Sequence, residues 1–258
     1  MGYIKTFLIQ TIENRVVHDF SFVLIEAINY HNWYNNEKTY DYMLRNNTCI
    51  PIEIDKYGNP YEKDSNDIVP IGSVEFVLDF LNRYYNINNV KPLNIPQELR
   101  KPEYLKRWIV EKTTDWDTIN AGNISFFVKD NSKIKGWTNI VEPNRSYPPG
   151  DYLISELIDI DSEWRAFVFN KELVGLQNYS GNFTMFPNVE LIKEMIKDYN
   201  NNGSYTLDVG INDKGTFVIE CHDLFSCGLY GFADYKLLPL MFINTWNKLI
   251  KGENNYDE

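Results

Sequence analysis

The chain has 258 residues, 43% hydrophobic, 15% aromatic and 24% charged, with a formal net charge of −11 and a pI of about 4.8. That length holds one large domain or two to three small lobes with a sizeable core, and the composition is that of a folded globular protein, which excludes extended disorder. The acidic balance argues against broad electrostatic binding to nucleic acid or to an anionic membrane, and no apolar run reaches the roughly 18 residues that span a bilayer.

The first residues lack the basic region, apolar core and cleavage site of a signal peptide, so a cytoplasmic location is expected. Met1-Gly2 with Thr6 matches a myristoylation pattern too short to carry weight. Cys49, Cys221 and Cys227 are an odd, sparse set, read as small apolar side chains rather than a disulfide or a zinc site.

In chain order, Tyr3–Ile9 and Phe20–Ile25 are two apolar bursts that suit two strands, or a strand and a helix. His18 and His31 nearby have no partner motif and read as structural. Thr48–Ile52 is a candidate strand, and Tyr57-Gly58-Asn59-Pro60 a turn. Val74–Leu81 has helical spacing behind an N-cap at Ser73, and residues 1–90 read as a small α/β lobe. Pro92, Pro96 and Pro102 break regular structure and mark a connection between lobes. Glu103–Glu111 reads as a short helix. Ile124–Asp130 reads as a strand carrying Lys129, followed by a polar loop with Lys133, Lys135, Gly136 and Trp137. Alone, that segment is better explained as a solvated strand end than as a phosphate clamp.

Asp151–Ile158 reads as a buried strand, and Ala166–Phe169 as another that turns at Asn170-Lys171-Glu172 into Leu173–Leu176. Asn188–Asn200 is an amphipathic helix and Pro239–Ile250 a closing one. Between them, Tyr205–Val209 and Thr216–Glu220 flank Asn212-Asp213-Lys214-Gly215, a β-hairpin with a tight turn. Alternation lets Asp208, Glu220 and His222 share one face. Two converging carboxylates repel unless a cation sits between them, and such ligands suit Mg²⁺ against phosphate. On its own, the hairpin is as well read as a solvated one with acids on its wet face.

Taken together and in this order, these pieces resemble the ATP-grasp superfamily, specifically its small phage and bacterial domains, from about Ile68 to Tyr230. The resemblance implies an α+β ATP-grasp fold in which two α/β lobes clasp a nucleotide. Residues 1–100 would form a preceding α/β lobe, 101–155 a small lid lobe and 156–258 a catalytic lobe with the metal-binding hairpin. It implies ATP and Mg²⁺ as cofactors. Lys129 is similar to the strand lysine at the adenine and α-phosphate, and Lys135 to a second lysine on a loop over the phosphates. Glu156, Leu157 and Ile158 resemble the strand that holds the adenine edge, and Glu163 the acid at the ribose. Arg165 would sit near the γ-phosphate or the substrate carboxylate. Asp208, Glu220 and His222 fall where the superfamily has Asp and then Glu-x-Asn as metal ligands, with His222 departing from the usual Asn. Ser226, Gly228 and Tyr230 resemble a loop facing the substrate, and Tyr179 is a further candidate there.

The implied activity is an ATP-dependent ligation of a carboxylate to an amine or other nucleophile through an acylphosphate. The carboxylate acceptor would be a small molecule, a peptide or a protein. Alternatives are an ATP-grasp phosphotransferase acting on a hydroxyl, and a nucleotide-binding interaction module without catalysis.

Overall fold

The computed structural model describes residues 4–114, 124–143, 145 and 147–251. They form two compact units, one made of residues 1–89 and 223–258, the other of 90–222.

The first unit begins with β1 (Thr6–Thr11), all six residues of which are buried. After it come α1 (Asp19–Asn35), β2 (Asp41–Asn46), the short pair β3 (Ile52–Ile54) and β4 (Pro60–Glu62), β5 (Ile68–Ile71) and α2 (Val74–Tyr85). β1 lies between β2 and β5 and is parallel to both. An unbroken apolar strand is what a parallel sheet covered on both faces requires. Of the two apolar bursts, the first is therefore the strand and the second the helix α1. Ser73 caps α2 as expected, its Oγ accepting from the Phe76 amide at 3.2 Å.

The second unit opens with α3 (Pro102–Leu105), which Lys106 ends by taking a left-handed φ of 51°. The helix expected to run to Glu111 is thus a single turn. Ile109–Thr114 is a strand, β6, because its β-branched residues pair with the chain at Gly150–Ser155. β7 (Phe126–Asp130), β8 (Thr138–Val141) and β9 (Gly150–Glu156) complete an antiparallel sheet in the order β6-β9-β7-β8. It has its own small core of Val128, Val141, Tyr147, Tyr152 and Ile154.

A second four-stranded sheet follows. β10 (Ser162–Phe169) turns through Asn170 and Lys171, both at positive φ, into β11 (Glu172–Gly181). After α4 (Val189–Tyr199) come β12 (Tyr205–Asn212) and β13 (Gly215–Asp223), and the order is β11-β10-β12-β13. Alternation sends Trp164, Ala166 and Val168 of β10 and Leu207, Val209 and Ile211 of β12 into one core, where they meet Ile192, Met195, Ile196 and Tyr199 of α4. The opposite face is left for Glu163, Arg165 and Asp208. The chain closes with α5 (Leu238–Ile250) in the first unit. Among the described residues no helix is long and apolar enough to cross a membrane.

Candidate functional site

A cavity of about 310 Å³ lies within residues 90–222, walled by both sheets of that unit. Its size is that of a small-molecule site. β7 contributes Phe127 and Lys129, the residues that alternate away from buried Val128. Glu156, Leu157 and Ile158 line it where β9 ends, and Glu163 where β10 begins. Phe217, Ile219 and Glu220 line it from β13.

Strict alternation slips on that last strand. Ile219 and Glu220 are adjacent, yet both face the cavity, while Val218 and Cys221 both enter the core. The slip turns Glu220 toward Lys129, and the two side chains form an ion pair across the cavity. His222 Nε2 sits 2.7 Å from the other Glu220 oxygen and 4.0 Å from Asp208 Oδ2. Burial pushes the Glu220 carboxyl up, but the hydrogen bond and charge of His222, together with Lys129, outweigh it and hold the group below the usual carboxylate range.

Arg165 and Asp208 are directly opposite one another on β10 and β12. The guanidinium donates from Nε and Nη2 to the two carboxylate oxygens, each at 2.8 Å, and both side chains are buried. The β10–β11 register slips between Glu163 and Trp164, so that Ser180 and Asn178 are paired and Tyr179 is the extra residue of a bulge. Its hydroxyl donates to Glu163 Oε2 at 2.9 Å, and its ring lies 5.6 Å from the Arg165 guanidinium. Burial, then the charges of Asp208 and Glu163, raise its phenol above the ordinary range, so Tyr179 is a donor.

Asp208, Glu220 and His222 each offer a ligand atom within 4.8 Å of the others. Arg165 takes one contact on each Asp208 oxygen, and a carboxylate has about four lone-pair directions, so acceptor capacity remains. Two carboxylate oxygens and an imidazole nitrogen fit a divalent cation.

Not all the expected residues gather here. Lys135 is exposed on the β7–β8 connection, at a φ of 53°, outside the cavity lining. Gly136 beside it is required, because a Cβ there would lie 2.7 Å from the Asp130 side chain. Ser226, Gly228 and Tyr230 belong to the first unit, where Ser226 Oγ donates to the Gly72 carbonyl at 2.6 Å. Gly228 lies against the Tyr230 ring, and Tyr230 itself is exposed.

Arg107 was not among the expected residues. It lines the cavity, donates to the carbonyls of Leu105 (3.2 Å) and Val218 (2.8 Å), and lies 5.5 Å from the Phe217 ring. Burial pushes its guanidinium down to about 10, with Glu156 acting against the fall. A helix over 103–111 would have hidden it on a surface. Only the early stop at Lys106 brings it inward.

A family model of an ATP-grasp domain, the second family of its clade, matches residues 104–239. The chain belongs to this ATP-grasp family. Solved structures with the same fold include the D-alanine–D-alanine ligase of Bacillus anthracis, at 14% identity and a TM-score of 0.50 over 97% of this chain and 99% of that one. A RimK domain protein ATP-grasp from Sphaerobacter thermophilus matches at 13% and 0.52, over 96% and 100%. The ATP-grasp ligase PsnB complexed with minimal precursor matches at 10% and 0.52, over 95% and 100%. No match is found among curated proteins. At these identities the structural likeness speaks for the α+β ATP-grasp fold alone.

Proposed function

We propose that this ATP-grasp protein is an ATP-dependent ligase that activates a carboxylate as an acylphosphate and passes it to an amine or other nucleophile. The observation that carries the reading is Lys129 meeting Glu220 across the cavity, with His222 and Asp208 beside them. A cation and a cluster of carboxylates at one end of an apolar pocket suit a triphosphate whose base occupies the other end. We assign the β6-β9-β7-β8 sheet to the lid lobe, β10–β13 to the catalytic lobe, and residues 1–100 to the lobe before them.

In this reading Glu156 and the backbone at Leu157 and Ile158 hold the adenine edge. Glu163, oriented by Tyr179, accepts from the ribose hydroxyls. Lys129 and Arg107 neutralise phosphate oxygens, and Lys135 reaches the phosphates from its loop. A carboxylate oxygen of the acceptor forms a bond to the γ-phosphorus as the bond to the β,γ-bridging oxygen breaks, and ADP leaves with that electron pair. The nucleophile then attacks the acyl carbon and phosphate departs. Such a transfer needs charge neutralisation and alignment more than a base. Asp208, Glu220 and His222 would hold Mg²⁺, which when bound supplies positive charge to the phosphate oxygens. Arg165 orients Asp208 toward that cluster. Excluding water from the cavity protects the acylphosphate.

The test is ATP titration with Mg²⁺ and a screen for ADP release against carboxylates and amines. Wild type is expected to bind, and Lys129→Ala and Glu220→Ala each to abolish binding or turnover. Unchanged affinity and turnover in both variants would exclude the assignment. A stable phosphorylated hydroxyl product would select phosphotransfer, and tight binding without ADP release an interaction module.

A further inference from the structure

Asn94 lies in the proline-marked connection that precedes α3, and it is 2% exposed. Its φ is 47°, a left-handed conformation in which asparagine is enriched over most other residues. Its carbonyl accepts the Cys221 amide, an isolated bridge to β13 between Glu220 and His222. Its side-chain Nδ2 donates to Asn131 Oδ1, two residues beyond Lys129. Asn131 in turn donates its backbone amide to the Asp151 carbonyl at 2.8 Å and its Nδ2 to Glu111 of β6 at 3.3 Å. Glu111 also accepts from Arg100, whose Nε donates to the Ile95 carbonyl at 2.8 Å. The circuit therefore closes next to Asn94.

We propose that Asn94 and Asn131 form a latch that sets the separation of Lys129 from Glu220 and His222, which makes both of them positioning residues for the phosphate end of the cavity. This rests on the reading of the cavity as a nucleotide site. Lys129 and Glu220 also span the gap directly, but an incoming polyphosphate competes for Lys129, so that ion pair cannot hold the spacing while ligand is bound. The amide–amide bond carries no charge and persists. Asn94 Oδ1 is buried without a hydrogen-bond partner. A buried acceptor left unpaired is unfavourable, and it is retained where the residue's donor and backbone geometry are what the site uses. The latch acts at both ends of one short path: one end adjoins Glu220 on β13, and the other adjoins Lys129 on β7.

The test uses Asn94→Gly, which keeps the left-handed backbone and removes the amide, Asn131→Ala on a part-exposed position, and the double variant. Each single variant is expected to raise the Kd for ATP with Mg²⁺ by about tenfold, chiefly through faster dissociation, and the double by no more than either alone, since both remove the same bond. In parallel, amide hydrogen exchange is followed in the protein without nucleotide. Asn131→Ala is expected to speed exchange at Cys221, and Asn94→Gly at Asn131. Losses that multiply in the double variant, or exchange at Cys221 untouched by Asn131→Ala, would overturn the latch. If Asn94→Gly does not fold, Asn131→Ala alone still decides through Cys221. Wild type that binds no ATP would sink the nucleotide reading, and the exchange data would still judge the latch.

Discussion

Both oxygens of Asp208 accept from Arg165, and neither side chain has much access to water. Removing one partner leaves a charge buried without compensation. Arg165→Met is therefore expected to cost about 3 to 5 kcal/mol, read from the urea midpoint, whereas Arg165→Met with Asp208→Leu should recover part of that loss. A double variant as unstable as the single one would contradict this account. Tyr179 makes a smaller contribution through one hydrogen bond to Glu163. Tyr179→Phe is expected to weaken ATP binding about fivefold, near the 1 kcal/mol typical of a single hydrogen bond, with little change in turnover at saturating ATP. A loss confined to turnover would instead place Tyr179 at the reacting groups.

α3 and α4 are joined by Asp198, which accepts from Lys101 at 2.6 Å and from Tyr104 at 2.5 Å. The Lys101 hydrogen bond, then that of Tyr104, hold the Asp198 carboxyl below its ordinary value. A depressed acid contributes stability that is present above its unfolded pKa and is lost as pH falls through the folded one. Asp198→Asn is thus expected to be less stable than wild type at neutral pH, with the difference shrinking as acid protonates the wild-type carboxyl. Thermal melts across pH 7 to about pH 2 check the sign, and a gap that widens in acid would refute it. Lys101 and Asp198 are solvent-accessible, so the pair is weaker than its short distance suggests. At the start of α2, Ser73→Ala removes a cap and should cost about 1 kcal/mol in the same assay.

At the scale of the molecule, a ligand that binds only the folded protein stabilises it by mass action. ATP with Mg²⁺ at about a hundredfold excess over Kd is expected to add roughly 2.7 kcal/mol, and Lys129→Ala to remove that gain. Hydrogen exchange would assign the added protection to residues 90–222, where the cavity is walled. Protection confined to residues 1–89 would place the nucleotide elsewhere.

Local chemistry made much of this chain legible. The Ser73 cap, the stripe Ile192, Met195, Ile196, Tyr199 and the Asp213-Lys214-Gly215 turn each depend on residues close in sequence, and each stands where periodicity placed it. Two-residue alternation likewise put Glu163 with Arg165 on the face away from the core. What alternation could not carry is the slip at Ile219 and Glu220 or the bulge at Tyr179, because both answer to partners on neighbouring strands. Arg107 entered the cavity only because Lys106 ends α3 and β6 pairs with β9, a competition decided by strand pairing over a distance. Residue identities alone therefore determined the family-like order of lysines and acids. Which of them share one cavity was decided by backbone hydrogen bonding between segments far apart in the chain, the one term a linear pattern does not contain.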